Sequence, residues 1–306
     1  MKAIYIERFG GPEVVQFGDR PDPVAGRGEV VVDIVAASVN AADWKVRLGQ
    51  YRQTTFPLGL GRDFSGVVSA VGEAVDDLRP GDEVFAVCQA GVEGAYAEKI
   101  AIPADLVAKK PAALSHVDAA ALALTGLTAL SAIEDTLKLA RGEKILIQGG
   151  AGGVAGFAIQ VAKHIGARVV TTASAANHAY VEALGADEVI DYNAVDFTAA
   201  VTDCDAVFET VGGDVTQRSF AVLRPGGRAA FIASGPQAPI PARTDVVALR
   251  PPVGRARRHM ERIARLFLDG VVRPPEVALF PLSRGSEALS MSEQRHFRGK
   301  IVLQVR

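Results

Sequence analysis

The chain has 306 residues, 49% hydrophobic and 22% charged, with a formal net charge of −2. Its length suits one large domain or two of ordinary size, and its composition is that of a soluble protein with a substantial core. The near-neutral charge excludes a global electrostatic drive towards nucleic acid or an anionic membrane, and two cysteines, Cys88 and Cys204, are too few for a disulfide framework or a cysteine zinc cluster.

Residues 1–8 lack the apolar core of a signal peptide, so a reducing cytoplasmic location is expected. Up to about residue 115 the chain is strand-like and rich in turn residues. Residues 29–35 form a β-branched run, residues 66–72 another bounded by glycines, and Arg79-Pro80-Gly81-Asp82 is a turn leading into a run at 83–87. Short strands at this spacing predict a small barrel-like β unit. The apolar run 119–133, interrupted by Thr125, Gly126, Thr128 and Ser131, is too short to span a bilayer and reads as a buried Ala-rich helix. From about residue 118, strands alternate with helices. Strands are expected at 144–148, 168–172, 188–190, 205–209 and 228–233, with helices at 154–165 and 178–184 among them. Such alternation predicts a parallel sheet covered on both faces. Residues 235–252 hold several prolines and read as loop-rich, a helix follows over Arg257–Leu268, and 300–305 is a last strand of N-terminal texture.

The most informative segment is the strand at 144–148 running into Gly149-Gly150-Ala151-Gly152-Gly153-Val154-Ala155-Gly156. Gly150-x-Gly152-x-x-Ala155 fits the dinucleotide fingerprint in its alanine-terminated form. Val154, Phe157, Ala158, Val161, Ala162 and Ile165 recur at helical spacing, so a helix starts where the turn ends. Its N-terminal N–H groups and positive dipole end suit a pyrophosphate, which the glycines allow to approach closely. The competing reading is an ordinary strand-to-helix turn. About 20 residues on, an NAD-preferring site places Asp or Glu against the ribose 2′-OH. No acid occurs between Arg168 and Val181, which admits the 2′-phosphate of NADP(H) beside Ser174, Asn177 and His178, although the usual Arg or Lys is missing.

Other chemistry is thin. The histidines, at 116, 164, 178, 259 and 296, form no HxxxH or HxH pair, and neither cysteine stands at ligand spacing, so no metal site is expected. No Gly-x-Ser-x-Gly elbow is present. Cys88, ending an apolar run, reads as a buried thiol. Arg255, Arg257, Arg258, Arg262 and Arg265, beside Glu261 and Asp269, read as a solvated helix face.

A series of segments spread along nearly the whole chain carries a family pattern. They are Ser38-Val39-Asn40-Ala41-Ala42-Asp43-Trp44-Lys45, Gly61-Arg62-Asp63-Phe64-Ser65-Gly66-Val67-Val68, Pro80-Gly81-Asp82-Glu83-Val84 and Gly126-Leu127-Thr128-Ala129. The glycine turn, Leu184-Gly185-Ala186-Asp187-Glu188-Val189-Ile190-Asp191-Tyr192 and Arg298-Gly299-Lys300-Ile301-Val302-Leu303 complete it. Through them the chain resembles the zinc-independent medium-chain dehydrogenase/reductases of the quinone oxidoreductase, or zeta-crystallin-like, type. The resemblance implies an α/β protein with a GroES-like β-barrel catalytic domain, 1–117 with 259–306, and a Rossmann doubly wound parallel-sheet domain, 118–258. Zinc-dependent relatives carry Cys where this chain has Asn40 and Gly-His-Glu where it has Gly61-Arg62-Asp63. Cofactor contacts are implied at Tyr51, Thr128, Ala151, Gly152, Gly153, Val154, Ser174, Tyr192, Ile232, Ala233 and Ser234. Without the family, Tyr192 reads as a surface aromatic after a strand. Ala155 stands where most relatives have the third glycine, and Gly156 follows it.

The implied activity is metal-free hydride transfer from NADPH to a quinone or an α,β-unsaturated carbonyl. Charge on the acceptor oxygen then needs hydrogen-bond donors. The resemblance places Asn40 and Tyr51 at the nicotinamide end of the cleft, which makes them the candidate catalytic residues, with Tyr51 also able to deliver a proton. The alternative is that both only orient neighbouring groups while solvent supplies the proton. Asp43 and Lys45 read as structural. Two other functions stay open: a 2-enoyl thioester or alkenal reductase on the same scaffold, and a non-catalytic NADP(H)-binding protein. The expected partners are a small-molecule quinone or enone and a second copy of the chain, with no nucleic acid and no membrane.

Overall fold

The β-branched run at 29–35 grows into an 11-residue strand, Glu29–Val39, in a computed structural model that describes residues 1–51, 55–89, 91–295 and 297–306. In chain order the strands are β1 Lys2–Ile6, β2 Gln16–Asp19, β3 Glu29–Val39, β4 Leu58–Gly59, β5 Asp63–Val71, β6 Glu83–Val87, β7 Lys99–Pro103, β8 Val107–Lys109, β9 Lys144–Ile147, β10 Arg168–Ala173, β11 Glu188–Asp191, β12 Cys204–Glu209, β13 Leu223–Phe231, β14 Val247–Leu249, β15 Val277–Pro281 and β16 Lys300–Gln304. The helices are α1 Ala41–Arg47, α2 His116–Leu130, α3 Gly153–Ile165, α4 His178–Ala183, α5 Phe197–Ala200, α6 Asp214–Arg218, α7 Arg257–Leu268 and α8 Gly285–Gln294. Contacts divide the chain into two units. The first holds Met1–Leu124, Arg255–Leu268 and Pro274–Arg306, the second Thr125–Gly254 and Asp269–Arg273.

In the first unit β3 pairs with β5 and β16 within the order β15-β16-β3-β5-β6-β8, while β7 adds to β3 and β2-β1-β4 form a separate sheet. All these pairings are antiparallel except β15 with β16. Val30, Val32, Ile34, Phe64, Val84 and Ile301 form the buried interior, with Trp44 of α1 and Leu289 of α8 packed on it. Alternate residues of β3, Val30, Val32 and Ile34, thus line the interior of the expected barrel-like unit, and the last strand returns to it.

The arginine run divides at the start of α7. Met260, Ile263, Ala264 and Leu266 face inward and Arg258, Arg262 and Arg265 stay exposed, as a solvated face requires. Arg257 instead pairs with Asp77 and donates to the Ala104 carbonyl, and Arg255 donates to the Cys88 carbonyl. Arg255 precedes the helix, so helical periodicity could not place it.

The second unit is a parallel six-stranded sheet in the order β11-β10-β9-β12-β13-β14. Numbered within the sheet, that is 3-2-1-4-5-6, the doubly wound Rossmann order. Strands β9 and β12 are buried on both faces, and Leu146, Val170, Val207, Phe220 and Phe231 form one packed cluster. The sixth strand, β14, is a three-residue insert in 235–252, which is otherwise loop as expected. It has an exposed Val247, and it exists only because its backbone extends β13, a pairing that local sequence cannot announce. The apolar run at 119–133 is helical as expected. Ala119, Ala120, Ala121, Leu122 and Ala123 are fully buried, and the unit boundary falls within α2.

Candidate functional site

In the second unit, β9 delivers the chain to the glycine turn at the carboxyl edge of the sheet, beside the point where strand order reverses between β9 and β12. Ligands of open α/β sheets bind at such a point. Gly149 adopts φ +72°, a left-handed conformation that glycine reaches without strain. Its N–H donates to Thr172 Oγ1 and the Gly150 N–H to the Thr172 carbonyl, tying the turn to β10. A Cβ on Gly150 would lie 2.3 Å from Thr171 Oγ1, whose hydroxyl is held by donation to the Ile147 carbonyl at 2.6 Å. Gly150→Ala is therefore expected to destabilise the second unit by about 1–3 kcal/mol, read by far-UV circular dichroism in urea. At Gly152 the nearest atom to such a Cβ is the Gly149 carbonyl oxygen, at 3.3 Å. Gly152→Ala should fold normally, and equal losses at the two positions would refute this account.

Helix α3 begins at Gly153 with Gly152 as its N-cap, so its first N–H groups lack intrahelical acceptors. Ala155 is buried, and the close approach expected of a third glycine passes to Gly156. A Cβ there would crowd Leu184 Cδ1 at 3.1 Å and the Gly150 carbonyl at 3.4 Å. Three buried polar atoms at strand ends lack any partner among the described residues: Gln148 Nε2 after β9, His178 Nε2 beyond β10 and Ser234 Oγ after β13. Groups of this kind are open to a hydrogen-bond partner, from water or from a ligand. Ser174 caps the turn after β10 and accepts from Asn177 Nδ2, leaving its hydroxyl hydrogen to donate outward. Together with the open glycine turn, these groups fit a dinucleotide.

The other expected contacts on this unit stand as follows. Ala151, Gly152, Gly153 and Val154 are half-buried in the turn and first helical turn, Ile232, Ala233 and Ser234 are half-buried after β13, Thr128 is buried on α2, and Tyr192 is exposed after β11. Sequence reasoning missed Glu209. This fully buried carboxylate at the end of β12 accepts from the N–H groups of Val211 and Gly212, both at 2.6 Å, and from Thr216 Oγ1. It shapes the loop after β12, which lies against Ala233.

The first unit holds a buried polar cluster where β3 ends and α1 begins. Asn40 Nδ2 donates to Asp63 Oδ1 at 2.7 Å and to the Ser38 carbonyl at 3.2 Å, and Asn40 Oδ1 accepts from Lys300 Nζ at 2.7 Å. Asp43 caps α1, accepting on Oδ2 from the Asn40 N–H and from the Tyr96 hydroxyl. Burial pushes the Asp43 carboxyl up to about 6, against the pull of Arg62. Burial likewise raises Asp63, opposed by Lys300, and lowers Lys300, opposed by Asp63 and Asp43. Arg62 is 8% exposed, lies 3.2 Å from Glu93 and 3.6 Å from Asp43, and stacks its guanidinium over the Tyr51 ring at 4.9 Å. Tyr51 is itself partly exposed. Neither Lys300 nor Arg62 was singled out as functional from the sequence, although both lie in the segments that carry the family pattern. Cys88 is the buried thiol expected, and burial raises its pKa far above the thiol range.

These donors do not fit zinc. Where a soft-ligand set would stand, Asn40 is engaged on both ends of its amide and Arg62 is a cation. Among the described residues, no group of three His, Cys, Asp or Glu side chains is arranged to hold a metal, and His296 lies outside them.

Comparison with known proteins agrees with this architecture. Residues 26–112 match the family model described as alcohol dehydrogenase GroES-like domain, and 184–303 match the one described as zinc-binding dehydrogenase. The chain is 33% identical to the chloroplastic NADPH-dependent alkenal/one oxidoreductase of Arabidopsis thaliana, over 99% of this chain and 79% of that protein. Among solved structures, the quinone oxidoreductase of Coxiella burnetii superposes with a TM-score of 0.89 at 34% identity, covering 100% of this chain and 99% of that one. The Escherichia coli quinone oxidoreductase, solved with NADPH, gives 0.91 at 28% identity with both chains fully covered. With likeness at this level over its full length, the chain belongs to the zinc-independent medium-chain dehydrogenase/reductase family, in its quinone oxidoreductase branch.

Proposed function

We propose that this protein is an NADPH-dependent reductase of quinones and α,β-unsaturated carbonyl compounds. One observation carries the reading: the glycine turn leaves the first strand of a 3-2-1-4-5-6 sheet, and the second strand is followed by Ser174, Asn177 and His178 with no carboxylate. NADPH, when bound, supplies a hydride. Gly152, Gly153 and Val154 with Ala151 hold its pyrophosphate, Ser174 and His178 its 2′-phosphate, and Tyr192, Thr128 and Ile232 to Ser234 its remaining contacts. On the first unit, Tyr51 donates to the acceptor oxygen and delivers the proton, directly or through water. Asn40 has both amide hydrogens engaged within its unit, so its part is to hold the end of β3 in place. We further propose a cytoplasmic homodimer. Two free, buried cysteines suit a reducing compartment, and β14 ends its sheet with one edge lacking a strand partner among the described residues.

The test is a steady-state panel of NADPH and NADH against small quinones, enones and enoyl thioesters, with and without EDTA. Oxidation of NADPH by quinones or enones, unchanged by the chelator, is expected. Preference for NADH, or abolition by EDTA, overturns the reading. Turnover of enoyl thioesters alone selects the thioester reductase, and tight NADPH binding without turnover selects a non-catalytic binder.

A further inference from the structure

Arg255 stands apart from the other arginines around α7. It is half-buried, and its Nη1 donates to the Cys88 carbonyl. The Cys88 N–H in turn donates to the Arg62 carbonyl at 2.6 Å. Cys88, one residue after β6, therefore links the Arg255 side chain to the Arg62 backbone, and the two guanidiniums are near enough to repel each other. Their charges are unequally matched there. Arg62 has Glu93 and Asp43 beside it, and Asp63 is drawn to Lys300. Arg255 has no carboxylate at ion-pair distance among the described residues, and its buried Nε has no acceptor. Burial and the like charge of Arg62 both disfavour its guanidinium, against weaker attraction from Glu93 and Asp63. A half-buried cation in such a position is costly unless an anion complements it. The Tyr51 ring, covered by Arg62, adds an aromatic surface beside the pair.

We propose that Arg255, with Arg62 beside it, recognises a carboxylate on the acceptor, so that the preferred substrates are unsaturated carbonyl compounds or quinones bearing an acidic group. A guanidinium fork matches a planar carboxylate in two parallel hydrogen bonds. The inference rests on the reductase reading and names the substrate class of that same site.

The experiment compares 4-oxopent-2-enoic acid with its methyl ester as acceptors, reading the acid-to-ester ratio of kcat/KM. The wild type should favour the acid, and Arg255→Met should lower the ratio about tenfold. Arg258→Met, on the exposed face of α7, should shift it less than about twofold, since solvent screens an exposed charge. No preference in the wild type, no change in Arg255→Met, or an equal loss in Arg258→Met overturns the proposal. A weaker affinity for NADPH in Arg255→Met at an unchanged ratio assigns the anion to a cofactor phosphate and overturns it too. If neither acceptor is turned over, calorimetric titration of the protein with the acid decides. Saturable binding lost in Arg255→Met supports the site, and absence of binding refutes it, whatever becomes of the reductase reading.

Discussion

Lys300→Met should cost the first unit about 3–5 kcal/mol of stability, measured in urea by the fluorescence of Trp44, the only tryptophan and a buried residue of that unit. Lys300 Nζ donates to the Val39 carbonyl at 2.8 Å and to Asn40 Oδ1 at 2.7 Å, and its charge attracts the fully buried Asp63. Methionine fills the same volume but leaves Asp63 as a buried anion without its counter-cation. Three donors remain on that carboxylate: Ser38 Oγ, Asn40 Nδ2 and the Leu124 N–H. They satisfy its lone pairs without neutralising it. The double variant Lys300→Met with Asp63→Asn should therefore be more stable than Lys300→Met alone. Once Lys300 no longer occupies Asn40 Oδ1, the Asn40 amide is free to turn and accept from the new asparagine. Additive losses would show that Lys300 acts through packing of its stem, independent of the charge on Asp63.

The parts of the molecule that sequence reveals are those built from local chemistry. The glycine turn and α3 are legible because Gly150, Gly152 and the apolar spacing from Val154 to Ile165 state strand end, turn and helix within one short stretch. The helix Arg257–Leu268 is legible for the same reason, its inward face repeating at helical spacing. β14 was not, since a three-residue strand owes its existence to β13. Much of the candidate site in the first unit is of that second kind. Lys300 and Asn40 lie 260 residues apart in sequence and meet because β16 pairs with the end of β3. Arg62 announces nothing by its spacing. Its role as a buried cation between Asp43 and Glu93 depends on which strands the barrel closes together. Arg255 and Arg257 show the converse error, in which a run of arginines reads as one solvated face although these two bond back onto the first unit.

Arg62→Met is expected to destabilise the first unit by about 3–5 kcal/mol at pH 8 and by distinctly less at pH 5.5. At the higher pH the variant leaves Asp43 as a buried anion without the guanidinium that stands between it and the buried Glu93 side chain. The pH dependence follows from Asp43. Its folded-state pKa is raised to about 6, from an ordinary value of 3.8, chiefly by burial. The folded state thus binds the proton more tightly than the unfolded chain. The stability this contributes is fully present below about pH 4 and is lost as pH rises through about 6. Arg62 opposes that shift, so removing it raises the folded-state pKa further and moves the upper edge of the window towards neutrality. The variant should accordingly recover stability on acidification over a range where the wild type changes less, and Trp44 fluorescence in urea at the two pH values reads both. A loss of equal size at pH 5.5 and pH 8 would mean that Arg62 supports the barrel by packing alone. In that event the stacking over Tyr51, and with it the fixed position of the proposed proton donor, would rest on the aliphatic stem and not on the two carboxylates.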